Sequence, residues 1–335
     1  MGGTFKCVPR TLGLYQLLTV LIIHADHAVP AIFVLMSRKT MEAYDRVMDH
    51  VVNVFGPRNE PLTLGLIITD AERGLMGAIN NAFPRSVKNI SYFHYAKNVV
   101  KKCGQLGLKD FCRVEPGRES LGCLIAIPLF RADVLREGLN LVRQRMEVDA
   151  PNLLPLKAYV ETSWINVIGT ENLSVWRQVH RTTNYIESYH RNFNRTHGNR
   201  PSWWSCIEKL KLTEHRAHAD FLAIEQTRNI NRARGTNYLR SAAVQRANER
   251  SFEAGRLNTM DFLRASRYQV ENVVAEFLGL RMEADAKADD VMAPVAPVVP
   301  PPPPTGSEGG MEEELAWTSS GEALLQWTEA HLQWT

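Results

Sequence analysis

The sequence lacks the cysteine patterns that build a disulfide framework or a zinc finger. Its five cysteines are an odd number and include no Cys-x-x-Cys pair. No group of cysteines and histidines has the spacing of zinc-finger ligands. These absences exclude a small disulfide-stapled domain, and they predict reduced thiols in an intracellular protein.

Long apolar runs are absent as well. The best candidate, LYQLLTVLII at residues 14–23, is far shorter than the roughly 20 apolar residues that a spanning helix needs. Lys6 and Arg10 precede it, as basic residues precede the apolar part of a signal peptide. However, apolar residues resume at Val29 and no small-residue cleavage site follows. We therefore expect two core strands and no membrane partner, with a signal peptide as the alternative.

The net charge, +3 over 335 residues, is too small to indicate a nucleic-acid partner by itself. The charges are nevertheless unevenly distributed. Residues 171–250 hold 14 Lys/Arg against 7 Asp/Glu, whereas residues 281–335 hold 10 acids against 2 bases. The basic segment could follow the phosphate backbone of DNA. A solvated charged surface is the alternative, and no recognised DNA-reading motif is present to predict a target sequence.

Hydrophobic periodicity over the first 108 residues predicts the order β-β-β-α-β-α-β-α. The runs at 14–23 and 29–36 form a hairpin that is apolar on both faces and so would be covered on both. Helices are expected near 38–56, 71–83 and 96–108, and VKNISYFHY, from residue 87, is expected to be the fifth strand. Three antiparallel strands followed by alternating units predict an RNase H-like mixed sheet with helices on both faces.

The rest of the chain divides into a helical part and a tail. Residues 109–180 are predicted as a helical insertion with a helix pair broken near Pro128, and residues 181–280 as a region of basic helices. A helix from residue 200 has an apolar stripe that we expect to be buried, although its two tryptophans could instead stack on bases; the stripe is Trp203, Trp204, Ile207, Leu210 and Leu212. A last helix is expected at about 260–280.

Residues 281–335 are predicted to be a disordered, Pro-rich, acidic tail. Three Leu-x-Trp units recur near its end and contain Trp317, Trp327 and Trp334. Such units could dock in the groove of a protein partner. A tail without function is the alternative.

Two carboxylates stand out as candidate catalytic residues. Asp70 follows an apolar strand directly, at the edge of the sheet where open α/β folds place their chemistry. Glu187 lies in RTTNYIESYHRNFN, among polar and basic residues that suit a site for a charged ligand.

At this point the sequence resembles the Mutator-like element (MULE) transposases, a DDE family with an RNase H-like core. The resemblance covers roughly residues 2–215 and depends on several motifs in the family's order. These motifs are GTFKCVP, KTMEAYDRVMDHV, IITDAERGLMGAINNAFP, SYFHYAKNVVKKCGQLGL, TTNYIESYHRNFN and PSWWSCIEKL.

The resemblance implies three acids that bind Mg²⁺ and catalyse phosphodiester transfer. The second falls on Asp70 and the third on Glu187, but the first falls on Gly2, where this chain reads MGGTFK. Ser91 stands where the family has a cysteine, three residues before His94. Two Mg²⁺ ions about 4 Å apart would lack their bridging ligand. We therefore expect weak Mg²⁺ binding or none, and a catalytically inactive core. Asp26 and Glu72 are poor substitutes, since one lies in a turn and the other begins a helix.

Six further residues are candidate DNA contacts near these acids: His94, Lys97, Arg181, His190, Arg191 and Arg195. For His94 and Lys97 the alternative is a structural histidine and a solvated lysine.

Three hypotheses follow. The first is a domesticated, transposase-derived nuclear protein that associates with DNA but has lost transposition. The second is an active DDE enzyme whose first acid lies upstream of a truncated gene model. The third is a protein-interaction module that acts through its tail. The sequence does not predict the oligomeric state.

Overall fold

A computed structural model describes residues 1–9, 13–56, 64–198, 200–226, 236–267 and 271–279. The chain is a mixed α/β protein, and its first part follows the predicted order of eight elements. The strands are β1 (Gly2–Thr4), β2 (Gln16–His24), β3 (His27–Met36), β4 (Leu66–Thr69) and β5 (Val87–Ile90). The helices among them are α1 (Met41–Phe55), α2 (Arg73–Ala82) and α3 (Tyr92–Gln105).

The first three strands form an antiparallel sheet in the order β1-β2-β3. Ala25 and Asp26 turn between β2 and β3 with φ of 45° and 64°, as a two-residue hairpin turn requires. The β2–β3 register shifts between Val20 and Leu21, and Leu21 pairs with Pro30, which has no N–H to donate. The prediction that both faces of the hairpin are covered is wrong near its turn. Ile22 and Ile23 are 40% and 41% exposed there, whereas Val29, opposite Ile22, is buried against Ala217 and Ile224 of the later helical region.

Strands β4 and β5 are parallel, with Thr69 opposite Ile90. The amino nitrogen of Met1 donates a hydrogen bond to the carbonyl oxygen of Ile68 at 2.8 Å. This contact places the start of β1 beside β4, so the two sheets adjoin at the strands that carry Gly2 and Asp70.

Helices α1 and α2 cover one side of this sheet. The Thr40 side chain caps α1 by accepting from the Ala43 N–H at 3.3 Å. Tyr44 and Met48 of α1 are fully buried against Leu75 and Ile79 of α2. Burying side chains of this size contributes roughly 1.5–3 kcal/mol each to folding.

The second part of the described chain is helical, as predicted. Its helices are α4 (Gly117–Ala126), α5 (Leu135–Asp149), α6 (Leu154–Tyr159), α7 (Thr170–Leu173), α8 (Asn184–His197), α9 (Trp203–Glu225), α10 (Thr236–Glu253), α11 (Thr259–Ser266) and α12 (Glu271–Leu278). The break predicted near Pro128 is confirmed by a short 3₁₀ turn at Ile127–Leu129. The helix expected at 260–280 corresponds to α11 and α12, and residues 268–270 between them lie outside the described residues. Both helices contribute to the largest core cluster, together with α3, α4 and α5.

The buried side of α9 differs from the expected stripe. Trp204 is 73% exposed and Leu212 is 49% exposed, whereas Cys206, Ala217 and Ile224 are buried. Positions two residues apart on a helix point about 200° away from each other. Trp204 therefore faces outward because Cys206 faces Cys7 and the sheet, with its thiol 3.8 Å from the Cys7 carbonyl oxygen.

All five cysteines are buried and unbridged. Within the described ranges, no helix is both long enough and apolar enough to cross a membrane. The predicted tail, with Trp317, Trp327 and Trp334, lies outside the described residues. The domain boundaries near residues 108, 180 and 280 stay predictions.

Candidate functional site

Asp70 follows the last residue of β4, and the backbone around it is fixed by β5. The Ser91 N–H donates to the Thr69 carbonyl oxygen at 2.8 Å, so the end of β5 is tied to the residue before Asp70. Asp70 is half-buried at the carboxyl edge of these parallel strands. The sequence placed Asp70 at this edge, and the structure has it there.

His94 does not lie on the fifth strand, which the sequence pattern extended too far. β5 ends at Ile90, opposite the last residue of β4, and α3 begins at Tyr92. The strand stops there because β4 offers no further backbone partner. His94 is consequently in the first turn of α3, and the helix directs its side chain toward Asp70.

The imidazole of His94 stands between the two candidate acids. Its Nδ1 lies 3.1 Å from Oδ1 of Asp70, and its Nε2 lies 3.1 Å from Oε1 of Glu187. The side chains are only 26%, 38% and 33% exposed for His94, Asp70 and Glu187, so the three groups share a partly desolvated cleft. The structure thus brings together Asp70 after β4, His94 of α3 and Glu187 of α8.

The hydroxyl group of Thr183 contacts this cluster, and the hydroxyl group of Ser91 contacts Thr183. The Oγ1 of buried Thr183 lies 3.3 Å from Asp70 Oδ1 and 3.1 Å from His94 Nδ1. Thr183 also contacts the buried Ser91, donating its backbone N–H to the Ser91 Oγ at 3.1 Å. Sequence reasoning missed Thr183. It precedes α8, but its side chain makes no capping hydrogen bond there, so the local pattern does not signal its contacts with Asp70 and His94.

Gly2 lies against the same cluster. A Cβ built on Gly2 would lie 3.9 Å from Oδ2 of Asp70 and 3.3 Å from Cγ1 of Ile186. A side chain at position 2 would therefore extend next to Asp70 and the first turn of α8. The glycine leaves that position without a carboxylate.

The residues present do not fit a two-metal centre. Among the described residues, no group of three or more His, Cys, Asp and Glu could hold a metal ion. Asp70 and Glu187 face opposite nitrogens of one ring, so their oxygens do not converge on a shared point. A pair of divalent cations would also lack the third carboxylate that bridges them.

The two acids considered as substitutes are engaged elsewhere. Glu72 accepts a hydrogen bond from the Tyr44 hydroxyl at 2.7 Å, and its other oxygen pairs with Lys39 at 2.7 Å. Asp26 is in the hairpin turn, 3.7 Å from the Nε2 of His180. Neither carboxylate joins Asp70 and Glu187.

The predicted DNA contacts divide into engaged and exposed side chains. Arg181 is 18% exposed and pairs with the buried Glu249 at 3.5 Å, so it holds the segment before α8 against α10. His190 lies 3.2 Å from the Thr19 hydroxyl, and burial lowers its pKa to about 4. Lys97, Arg191 and Arg195 are exposed.

Two of the exposed cations continue from Glu187 along one side of α8. Glu187, Arg191 and Arg195 are spaced four residues apart, which puts them on the same helix face about 6 Å apart along the axis. The side of α8 that leaves the acidic cluster is therefore positively charged.

Comparison with protein families finds a match to the first part of the chain. Residues 1–98 match the family model described as MULE transposase domain. This range runs from β1 into α3 and contains Gly2, Asp70 and His94, but not Glu187. A search among curated proteins finds no match to the chain.

Proposed function

We propose that this chain, whose residues 1–98 match the MULE transposase domain model, is a transposase-derived protein that associates with DNA without cutting or joining it. The observation that carries the proposal is the glycine at position 2. Its missing side chain would point at Asp70, where the family's first acid is expected.

The loss of this acid matters because of electrostatics. Two divalent cations held only by Asp70 and Glu187 would repel each other with little compensation. Each 1.4 kcal/mol lost from transition-state stabilisation slows a reaction tenfold, so a missing bridging ligand is enough to remove useful activity. His94 further disfavours metal binding, because its ring occupies the space between Asp70 and Glu187. We expect Mg²⁺ to bind weakly or not at all.

We also infer that the core is RNase H-like. Two features support this: the order of the eight elements, and the hydrogen bond from Met1 to Ile68 that brings β1 alongside β4. In such a sheet the order would be β3-β2-β1-β4-β5, with position 2, at the start of β1, beside Asp70 at the carboxyl end of β4.

The proposed DNA contact is the charged side of α8. Arg191 and Arg195 are exposed, and they leave the acidic cluster in a line that could follow successive phosphates. Lys97 on α3 adds a third exposed cation one turn beyond His94. Location in the nucleus follows as part of the same proposal, because the partner would be found there.

A salt titration with duplex DNA tests this association. Binding through phosphates must weaken steeply as salt rises, and each lost phosphate contact lowers the slope of log K against log salt by about 0.9. Replacing Arg191 and Arg195 with Gln should therefore weaken binding and reduce the slope by roughly two units.

The matched control is Arg136→Gln with Arg143→Gln, which removes the same charge from α5. That variant should keep the original slope. If both double variants change the affinity and the salt slope equally, binding depends on net charge alone and not on α8. If the unmodified chain does not bind duplex DNA at low salt, the proposal is wrong.

The second candidate, a protein-interaction module, depends on the Leu-x-Trp units of the tail. Partner binding that is lost when residues 294–335 are deleted, while DNA binding is kept, would favour it.

A further inference from the structure

Two aromatic side chains are exposed side by side near the Asp70 site. Phe5 follows β1 and is 48% exposed, and Tyr15 precedes β2 and is 53% exposed. Their ring centroids are 5.3 Å apart, and the rings meet edge to face at 72°. About half of each ring is left in water, although burying aromatic surface would stabilise the fold.

Positive charge surrounds this pair. The ammonium group of Lys39 lies 5.3 Å from the centre of the Phe5 ring. Lys6, the residue after Phe5, and Arg38, the residue before Lys39, are both exposed. Residues 1–42 contain four Lys/Arg and two acids, Asp26 and Glu42; Glu42 pairs with Arg46 at 3.2 Å, and Glu72 pairs with Lys39. Asp26 is at the opposite end of β2 from Tyr15, about 30 Å away along the strand.

Contacts connect the pair to the candidate site. Lys39 bonds to Glu72 at 2.7 Å, and the Glu72 N–H donates to the Asp70 carbonyl oxygen at 2.7 Å. Phe5 is also only three residues beyond Gly2 in the chain, a separation of at most about 10 Å. A polymer that passes the Asp70 site could therefore reach the two rings without leaving the surface.

We propose that Phe5 and Tyr15 form a stacking platform for unpaired DNA bases, with the exposed Lys6 and Arg38 holding the adjoining phosphates. The proposal rests on the DNA association proposed above and names the form of DNA that is bound. Bases in a duplex cover each other's faces, so exposed rings recognise single strands, frayed ends or overhangs. Cations around the rings fit a polyanion better than a neutral apolar peptide.

The test is fluorescence anisotropy of the full chain with a labelled single-stranded thymidine oligonucleotide and with a labelled blunt duplex. Phe5→Leu combined with Tyr15→Leu keeps apolar side chains but removes both stacking faces. Stacking on one ring is worth about 1–3 kcal/mol, so single-strand affinity should fall by roughly tenfold or more while duplex affinity changes little.

Two control variants make the result specific. Phe5→Trp with Tyr15→Phe retains both rings and should bind the single strand as the unmodified chain does. Val148→Ala removes an exposed apolar side chain on α5 and should have no effect. Thermal melting of each variant verifies that the fold is kept.

Two results would overturn the platform in different ways. If the leucine variant binds single-stranded DNA as tightly as the unmodified chain does, the platform is wrong and DNA association stands. If the unmodified chain binds neither DNA at low salt, both proposals fail together.

Discussion

A methyl group in place of the Gly2 hydrogen would lie 3.9 Å from Oδ2 of Asp70. This relationship places the position that lacks an acid directly beside one of the two that are present. The site therefore contains two carboxylates, a histidine between them, and a gap that faces Asp70.

Gly2→Asp should create a divalent-cation site. The new carboxylate would extend from β1 next to Asp70, after small shifts of Ile186, whose Cγ1 would lie 3.3 Å from the new Cβ. Calorimetry with Mn²⁺ should show an affinity at least tenfold higher than that of the unmodified chain. Gly65→Asp is the matched control, because a Cβ at Gly65 meets no atom within 4 Å. Equal Mn²⁺ binding by both variants would show that position 2 does not belong to the site.

His94→Ala should make thermal stability depend on Mn²⁺. Removing the ring leaves Asp70 and Glu187 with open space between them, which one cation could fill. A cation present at 100 times its dissociation constant would stabilise the fold by about 2.7 kcal/mol. The melting temperature should rise by a few degrees with Mn²⁺ in this variant, whereas Lys97→Ala, one turn away and exposed, should behave like the unmodified chain. If the melting temperature of His94→Ala does not change when Mn²⁺ is added, the bridging role assigned to the His94 ring is contradicted.

His190 should make the fold sensitive to acid. Burial lowers the pKa of His190 to about 4, below the usual value of 6.5. Between these two pH values the unfolded chain binds a proton that the folded chain does not. The free energy of unfolding therefore falls as the pH is lowered from about 6.5 to about 4. Urea unfolding across this pH range should show that the free energy of unfolding falls less in His190→Gln than in His50→Gln, which alters an exposed histidine. Parallel losses for the two variants would mean that His190 is not the group responsible.

Tyr44→Phe should destabilise the fold through a buried network. The Tyr44 hydroxyl accepts from the Gln16 Nε2 and donates to the Glu72 carboxylate, both at 2.7 Å. Burial raises the pKa of Tyr44, so its hydroxyl keeps its proton at neutral pH. Leaving buried Gln16 without this partner should cost about 1–3 kcal/mol in the free energy of unfolding. Tyr15→Phe, at an exposed site, should cost less than 0.5 kcal/mol on the same urea curve; equal costs would show that the network is not stabilising.

The order of strands and helices could be read from the sequence because each element carries its own periodicity. The end of β5 could not be predicted from the sequence, because the length of β5 is limited by its partner β4, which ends at Thr69. The buried side of α9 was also misjudged. Cys206 faces Cys7 across nearly 200 residues of sequence, and no local pattern around Trp204 signals that contact.

The candidate site was partly accessible from the sequence. Asp70, Glu187 and His94 were chosen from motifs, and the structure brings them together, although their roles stay predictions. The position of the His94 ring between the two acids depends on α3 and α8 meeting over β4. Such a contact is a property of the packed chain and not of any segment alone. The supporting hydroxyl of Thr183 was missed for the same reason.

The most direct test of the central claim is a strand-cleavage and strand-transfer assay with supercoiled DNA and Mg²⁺ or Mn²⁺. The account predicts that the chain yields no more nicked or joined product than its Asp70→Ala and Glu187→Ala variants. Metal-dependent nicking or joining by the unmodified chain that disappears in Asp70→Ala would contradict it.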